Sequence, residues 1–273
     1  MKENSLAILY IALGNYSIFW NKFFKSCEEN FCIDLQKHYF VFSDNPNGLY
    51  NLEKKISVYH QDNLGWPCST LLRYHMFSRA KELLKDYQYI CYFNANTLFV
   101  ESISTEEFFG QTKGKLIGGL HPGYINKTKK ILPFEKRESS KAFTRNNDFY
   151  FQGCINGGYS RDFLSAIEVI KNNITEDLNN GIVSIWHDES HWNSYLNEKI
   201  KENSNKVKIL NCNYLWPEGL GKNNDLKILM RDKNLFGGHE LLRGVEKSQY
   251  KLYLQLLKKI KLKIKNLLKI FKV

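Results

Sequence analysis

Short apolar runs alternate with helical periods through the first half of the chain. Leu6 to Leu13 is an unbroken apolar run that reads as a first strand. Tyr16, Phe19, Trp20, Phe23, Cys27 and Phe31 then recur at helical spacing. His38 to Phe42 reads as a second strand, ending at the turn Ser43-Asp44-Asn45-Pro46, and Ile56 to Tyr59 as a third. Ser69 is placed to cap a helix carrying Leu72, Met76, Ala80, Leu83 and Leu84. Gln88 to Phe93 is the next apolar strand. This βαββαβ rhythm predicts an α/β domain with a mainly parallel sheet. In such sheets ligands sit at the carboxyl ends of the strands.

The second half is less regular. Leu116 to Leu120 predicts a strand leading into His121-Pro122-Gly123, and a polar loop runs from Asn126 to Asn147. Gly153 and Gly157-Gly158 punctuate a tight segment; Phe163 to Ile170 predicts a helix and Val207 to Leu210 a strand. Neither an internal repeat nor a low-complexity linker is present, so one compact unit with a loop-rich second half is expected.

At 273 residues and 32.1 kDa the chain can bury a full core without disulfide or metal staples. It has no run of 18 apolar residues to cross a membrane, and its N-terminus lacks the features of a signal peptide. The formal net charge is +11, and eight lysines fall between Lys251 and Lys272 with no acid among them, which leaves +3 for the rest. The basicity therefore belongs to a tail. That argues against a nucleic-acid-binding core, and favours a polyanionic small molecule for the core and an anionic membrane surface for the tail. In residues 250–273, Tyr253, Leu256, Leu257, Ile260, Ile264, Leu267, Leu268 and Phe271 recur at helical spacing with lysines on another face. Strict alternation from Lys259 to Lys265 leaves a strand open, and docking of the apolar face on the catalytic domain competes with the membrane. The six cysteines match no zinc module and read as small buried side chains in a reducing compartment.

Three segments hold candidate chemistry. Asn94-Ala95-Asn96 follows a buried strand, where nucleotide-sugar transferases place Asp-X-Asp to hold a divalent cation; a polar turn would look the same. Trp186-His187-Asp188-Glu189-Ser190-His191 is a dense run of acid–base residues. His187 and His191 would share a helical face, which raises zinc, but Asp188 stands where the metalloprotease pattern needs glutamate. A helix start capped by Asp188 or Ser190 is the alternative. His121-Pro122-Gly123 follows a strand and lets a ligand approach the backbone. Arg73 lies in an apolar helix face, where a guanidinium usually meets an anion. Tyr16 is placed to stack on a base or to join the core.

In this order the segments resemble glycosyltransferase family 6, which includes the blood-group A and B transferases and α-1,3-galactosyltransferases. The matching stretches are Ile11 to Tyr16, Tyr39 to Asp44, Trp66 with Arg73, Leu120 to Tyr124, Asp148 to Tyr150, Gly157-Gly158, Trp186 to His191 and Tyr214 to Trp216. The resemblance covers roughly residues 6 to 243. It implies a GT-A fold over residues 1–249, with a Rossmann-like nucleotide-sugar-binding half in 1–100 and an acceptor-binding half in 101–249, followed by the basic tail. It also implies retaining α-1,3 transfer from UDP-N-acetylgalactosamine, in preference to UDP-galactose, to a β-galactoside acceptor that includes fucosylated forms.

Carried over by position, Ala12 and Tyr16 would hold uracil; Arg73, Lys233 and Arg243 would face the diphosphate; and Asp188 would bind donor hydroxyls. His121 and Trp186 would bind acceptor, Glu189 stands at the place of the candidate nucleophile, and Gly123 with Cys154 would set donor-sugar selectivity. The animal members carry Asp-X-Asp where this chain has Asn94 and Asn96, as bacterial relatives do. Two aspartates with a divalent cation sum to zero charge, as do two asparagines alone, so no metal cofactor is expected. Pro133 and Pro217 replace polar acceptor-binding residues. The chain is expected to be cytoplasmic, with its tail attached peripherally to the inner membrane face. The rival readings are a sugar-binding pseudoenzyme and a retaining transferase using another UDP-sugar.

Overall fold

The computed structural model describes residues 2–47, 55–110 and 115–244. The basic tail, its membrane role and the boundary at 249/250 lie outside the described residues. The strands are β1 (Lys2–Ala12), β2 (Gln36–Ser43), β3 (Ile56–His60), β4 (Tyr87–Phe93), β5 (Thr97–Phe99), β6 (Leu116–Leu120), β7 (Phe151–Tyr159), β8 (Val207–Leu210), β9 (Trp216–Pro217) and β10 (Ile228–Met230). The helices are α1 (Trp20–Asn30), α2 (Cys68–Leu71), α3 (Arg73–Ser78), α4 (Lys81–Leu84), α5 (Thr105–Phe109), α6 (Ser160–Asn179), α7 (Asp188–Glu202) and α8 (Gly238–Arg243).

A seven-stranded sheet has the order β3-β2-β1-β4-β7-β6-β8. Strands β3, β2, β1 and β4 run parallel; β7 is antiparallel to both neighbours, and β8 pairs parallel to β6. Strand β1 explains its own sequence. Leu6, Ile8, Tyr10 and Ala12 face a core built with α1, while Ala7 and Leu9 face a second core built with α3, α6 and α7. Both faces are covered, so the run is apolar throughout. A smaller sheet, β5-β10-β9, packs beside the end of β4.

Most expected elements are present, and four differ. Ser69 lies inside α2, whose N-cap is Pro67, and the expected single helix is broken into α2, α3 and α4. The Ser69 hydroxyl instead donates to Asn63 Oδ1 at 3.3 Å. The segment around Gly153 and Gly157-Gly158 is a central strand, β7. Its glycines are there for clearance: a Cβ on Gly157 would lie 2.5 Å from the Ile90 carbonyl oxygen. Helix α6 extends well beyond 163–170. Helix α7 begins at Asp188 without a side-chain cap from the residue before it, His187. Of the six cysteines, all free, Cys212 alone is partly exposed.

Candidate active site

Two adjoining cavities open at the carboxyl ends of β1 and β4, where the parallel strands predicted a ligand. The first, of about 260 Å³, is lined by Tyr16, Asn63, Trp66, Arg73, Lys233 and Arg243 among others. The second, of about 480 Å³, is lined by His121, Gly123, Gln152, Cys154, Pro217 and Arg231 among others. Asn94, Asn96, Lys233 and His239 line both. The structure thus brings together Tyr16, Arg73, Asn94, Asn96, Lys233 and Arg243 around one space, and His121, Gly123 and Cys154 around the next. Ala12 is fully buried in the core, and its neighbours Ile11 and Leu13 form the wall instead. Trp186 is 47% exposed and lines neither cavity.

The first cavity is cationic. Lys233 Nζ lies 5.4 Å over the Tyr16 ring, and the Arg243 guanidinium lies 4.8 Å over Trp66. Neither cation has an ion pair among the described residues. Burial, and then the charge of Arg243, depress Lys233 to about 8. Such a group gains most when an anion arrives. Arg231 turns its guanidinium onto Phe236 at 4.3 Å.

Asn94 and Asn96 are held by their neighbours. Asn94 Oδ1 accepts from the Tyr92 hydroxyl at 2.7 Å, and the Asn94 backbone N–H donates to the Cys154 carbonyl at 2.9 Å. Asn96 Nδ2 donates to the Arg231 carbonyl at 2.7 Å, which leaves its buried Oδ1 without a hydrogen-bond partner. One unengaged neutral oxygen is a poor donor set for a hard divalent cation, which seeks several oxygens and carboxylate charge. Elsewhere among the described residues, no three His, Cys, Asp or Glu side chains gather at metal-binding distance. His191, once a zinc candidate, bonds through Nε2 to Ser184 Oγ at 2.8 Å and faces Asp177 at 3.6 Å.

Acidic groups enter from α7. His187, directly before the helix, has φ 55°, a conformation rare for a side chain with a Cβ, and its ring meets Trp66 at 5.1 Å. That turn delivers Asp188 and Glu189 to opposite uses. Asp188 is buried against Arg73, with Nε 2.9 Å from Oδ2. Burial raises its carboxyl to about 6 despite the guanidinium. Arg73 also donates to the Gly153 carbonyl and lies 4.5 Å over the Tyr92 ring. Glu189 accepts from the Gly153 N–H at 2.7 Å and from the Tyr150 hydroxyl at 2.8 Å. Its carboxyl is pushed up to about 7, chiefly by burial. Neither Asp188 nor Glu189 lines either cavity; Glu189 rests behind Gly153, whose neighbours Gln152 and Cys154 line the second. A Cβ on Gly153 would stand 3.2 Å from the Glu189 Cβ.

His121 Nδ1 accepts from the Gly123 N–H at 3.1 Å, and burial lowers its ring to about 4. The imidazole is therefore neutral near pH 7. Cys154 Sγ donates to Gln152 Oε1 at 3.2 Å. Sequence reading missed Asn63, Gln152, Tyr92 and His239 as site residues. Asn63 and His239 carry no local motif, since only long-range packing brings them to the cavity.

The sequence pattern described as Glycosyltransferase family 6 matches residues 2–240. The chain belongs to glycosyltransferase family 6. Its sheet of mostly parallel strands accords with the GT-A architecture expected of that family. The O-antigen biosynthesis glycosyltransferase WbnI of Escherichia coli is 34% identical over 228 residues, 83% of this chain and 94% of that protein. The human globoside alpha-1,3-N-acetylgalactosaminyltransferase 1 is 27% identical over 237 residues, 82% of this chain and 65% of its own length. The rat histo-blood group ABO system transferase 1 is 24% identical over 229 residues, 81% of this chain and 63% of its own length. The family-6 chain thus spans a little under two-thirds of these animal relatives. As a member of this family it is a hexosyltransferase that takes a nucleotide-sugar donor and an oligosaccharide acceptor. Among the described residues, no helix is long and apolar enough to cross a membrane.

Proposed function

We propose that the protein is a retaining α-1,3-glycosyltransferase that moves N-acetylgalactosamine, in preference to galactose, from its UDP derivative to a β-galactoside without a divalent metal. The observation that carries this reading is the shared wall of the two cavities. Asn94, Asn96 and Lys233 line both, with Arg243 on the first and Gly123 and Cys154 on the second. A diphosphate in the first cavity would meet Lys233 and Arg243, and its sugar would enter the second, with Glu189 behind the Gly153 backbone of its wall. The names of two relatives, a globoside α-1,3-N-acetylgalactosaminyltransferase and an ABO transferase, support the linkage and the sugar class.

The reaction is substitution at the anomeric carbon, in which the C1–O bond to UDP breaks and a bond from C1 to the acceptor oxygen forms. The enzyme must neutralise the leaving diphosphate and stabilise an oxocarbenium-like centre. Lys233 and Arg243 serve the first need. The side-chain amides of Asn94 and Asn96 stand where carboxylates would add repulsion. Glu189 serves the second, as a covalent nucleophile or as the charge partner in front-face transfer. Tyr150 stays protonated, raised by burial and by the Glu189 charge, and so keeps donating to the carboxylate. In this reading the basic tail holds the enzyme at an anionic cytoplasmic membrane face. Deletion of 250–273 should abolish sedimentation with anionic vesicles while transfer to a soluble acceptor continues.

The primary test is a panel of UDP-sugars screened for protection against thermal unfolding, with and without EDTA, followed by UDP release in the presence of β-galactoside acceptors. Protection by UDP-N-acetylgalactosamine that survives EDTA, with acceptor-dependent release, is expected. A strict Mn²⁺ requirement, or binding without turnover, overturns the reading.

A further inference from the structure

Helix α8 carries Arg243 and His239 to the first cavity, yet it has little of its own to hold it there. It is six residues long, with glycines in left-handed backbone on either side, Gly237 at φ 87° and Gly244 at φ 64°. A helix this short is marginal without tertiary contacts. Leu242 is its one buried side chain. Its last carbonyls also need donors, and the backbone beyond the helix supplies one, from the Gly244 N–H to the Leu241 carbonyl at 3.1 Å.

Two asparagines from distant parts of the chain add side-chain donors. Asn15 Nδ2 donates to the Leu241 carbonyl at 2.8 Å, and Asn63 Nδ2 donates to the Arg243 carbonyl at 2.6 Å. Asn63 is itself fixed, since its Oδ1 accepts from the Gly65 N–H at 3.0 Å and from Ser69 Oγ. Gly14 closes the joint. Its φ is 61°, and a Cβ there would lie 2.5 Å from the Arg243 carbonyl oxygen, so any side chain would push the helix end away. The Gly14 N–H is anchored in turn on Asp44 Oδ2 at 2.8 Å. The backbone of Arg243 is thus held by Asn63, and its guanidinium lies on Trp66, three residues further along the same loop.

This fastening opposes a real force. Arg243 and Lys233 share the cavity, and the charge of Arg243 helps depress Lys233. Left free, two cations that have no ion-pair partner among the described residues would separate. We propose that Asn15 and Asn63 are positioning residues for the donor diphosphate: they fasten the C-terminal end of α8 and so keep Arg243 over the cavity for an anionic ligand. The inference rests on the donor reading given above.

The test compares UDP with uridine, which lacks the phosphates that Arg243 would meet. Both are titrated calorimetrically into the full chain, into Asn15→Ala, and into Asn63→Ala. Asn15 is exposed and lines no cavity, so Asn15→Ala should fold. UDP affinity should fall about threefold for Asn15→Ala, which loses one hydrogen bond, and about tenfold for Asn63→Ala, which also gives up the bonds from the Gly65 N–H and Ser69 Oγ. For Asn15→Ala, at a residue that lines neither cavity, uridine affinity and acceptor KM should stay within twofold. Asn15→Gln, which still offers an amide donor, should restore most of the loss. In an Arg243→Ala background, neither substitution should weaken UDP further. If UDP and uridine weaken equally, or if UDP binding is unchanged in both variants, the positioning role is wrong. If the unaltered chain binds no UDP, the donor reading fails and this role fails with it.

Discussion

Arg73 and Asp188 meet with Nε 2.9 Å from Oδ2 in a part of the protein where both side chains are almost fully enclosed. The pair joins α3 to the first turn of α7, and through Gly153 it joins both to β7. Removing one partner would leave a buried charge uncompensated. Arg73→Met should therefore destabilise the fold by about 3 kcal/mol, read from urea unfolding. The double variant Arg73→Met with Asp188→Leu should recover part of that loss. If the single variant is as stable as the parent, the pair is not structural.

The two α7 carboxyls predict an unusual pH profile. Asp188 is raised to about 6 and Glu189 to about 7, both by burial. Each binds more protons folded than unfolded between its ordinary carboxyl range and its raised value. Their contribution to stability is therefore full below about pH 4 and is lost as pH rises through about 6 to 7. Activity should move the other way, because the role proposed for Glu189 needs its carboxylate, so kcat/KM should climb with an apparent pKa near 7. Lys233, depressed to about 8, then loses its charge, and UDP affinity should fall above that pH. A flat kcat/KM between pH 6 and 9 would contradict both assignments.

Glu189→Gln keeps an oxygen for the Gly153 N–H and a polar group for Tyr150, so the fold should survive. UDP-sugar binding should persist while transfer drops about 10²-fold or more, the usual scale for removing such a stabiliser. Gly153→Ala should act on the same group from behind, because its Cβ would press on Glu189 at 3.2–3.3 Å. A fall in kcat larger than any rise in donor KM is expected. Unchanged turnover in Glu189→Gln would make the residue structural.

The two asparagines after β4 should respond differently to aspartate. Asn94→Asp keeps the acceptor that Tyr92 uses. Asn96→Asp loses the donor to the Arg231 carbonyl and sets a carboxylate against it. A cost of about 1–3 kcal/mol is expected for Asn96→Asp alone, read as a lowered unfolding midpoint. Without metal the double variant should transfer more slowly, since two new charges would face the diphosphate. Full activity of the double variant in EDTA would show that the cavity does not hold that anion.

Gly123 is exposed, and its conformation admits a side chain; a Cβ would rest 3.3 Å from His121 Cε1. Gly123→Ser should fold normally and shift preference toward UDP-galactose by narrowing the second cavity. The ratio of kcat/KM for the two donors measures this, and an initial preference for galactose refutes the selectivity assignment.

Much of the architecture could be read from the chain because burial writes a strong pattern. Strand β1 is covered on both faces, and the result is a continuous apolar run of strand length. Strand β7 was hidden because Gly157 must clear the Ile90 carbonyl, and glycine there removes the alternation that marks a strand. Arg73 stood out as a charge in an apolar helix face, and Asp188 and Glu189 as part of a dense acid–base run. Asn63 did not, because its role depends on a carbonyl 180 residues away. Ser69 misled for a related reason: it has the chemistry of a cap, but its hydroxyl is committed to Asn63.

The hydrogen bond from the Asn94 N–H to the Cys154 carbonyl has a consequence for how this enzyme can change. In the proposed function, it ties the turn that would lie beneath the leaving group to the strand position that would border the transferred sugar. A substitution that widens the sugar space at Cys154 moves the same backbone that holds Asn94. Altered donor choice and altered handling of the diphosphate should then arise together in laboratory evolution, and variants selected for a new sugar should carry compensating changes near Asn94.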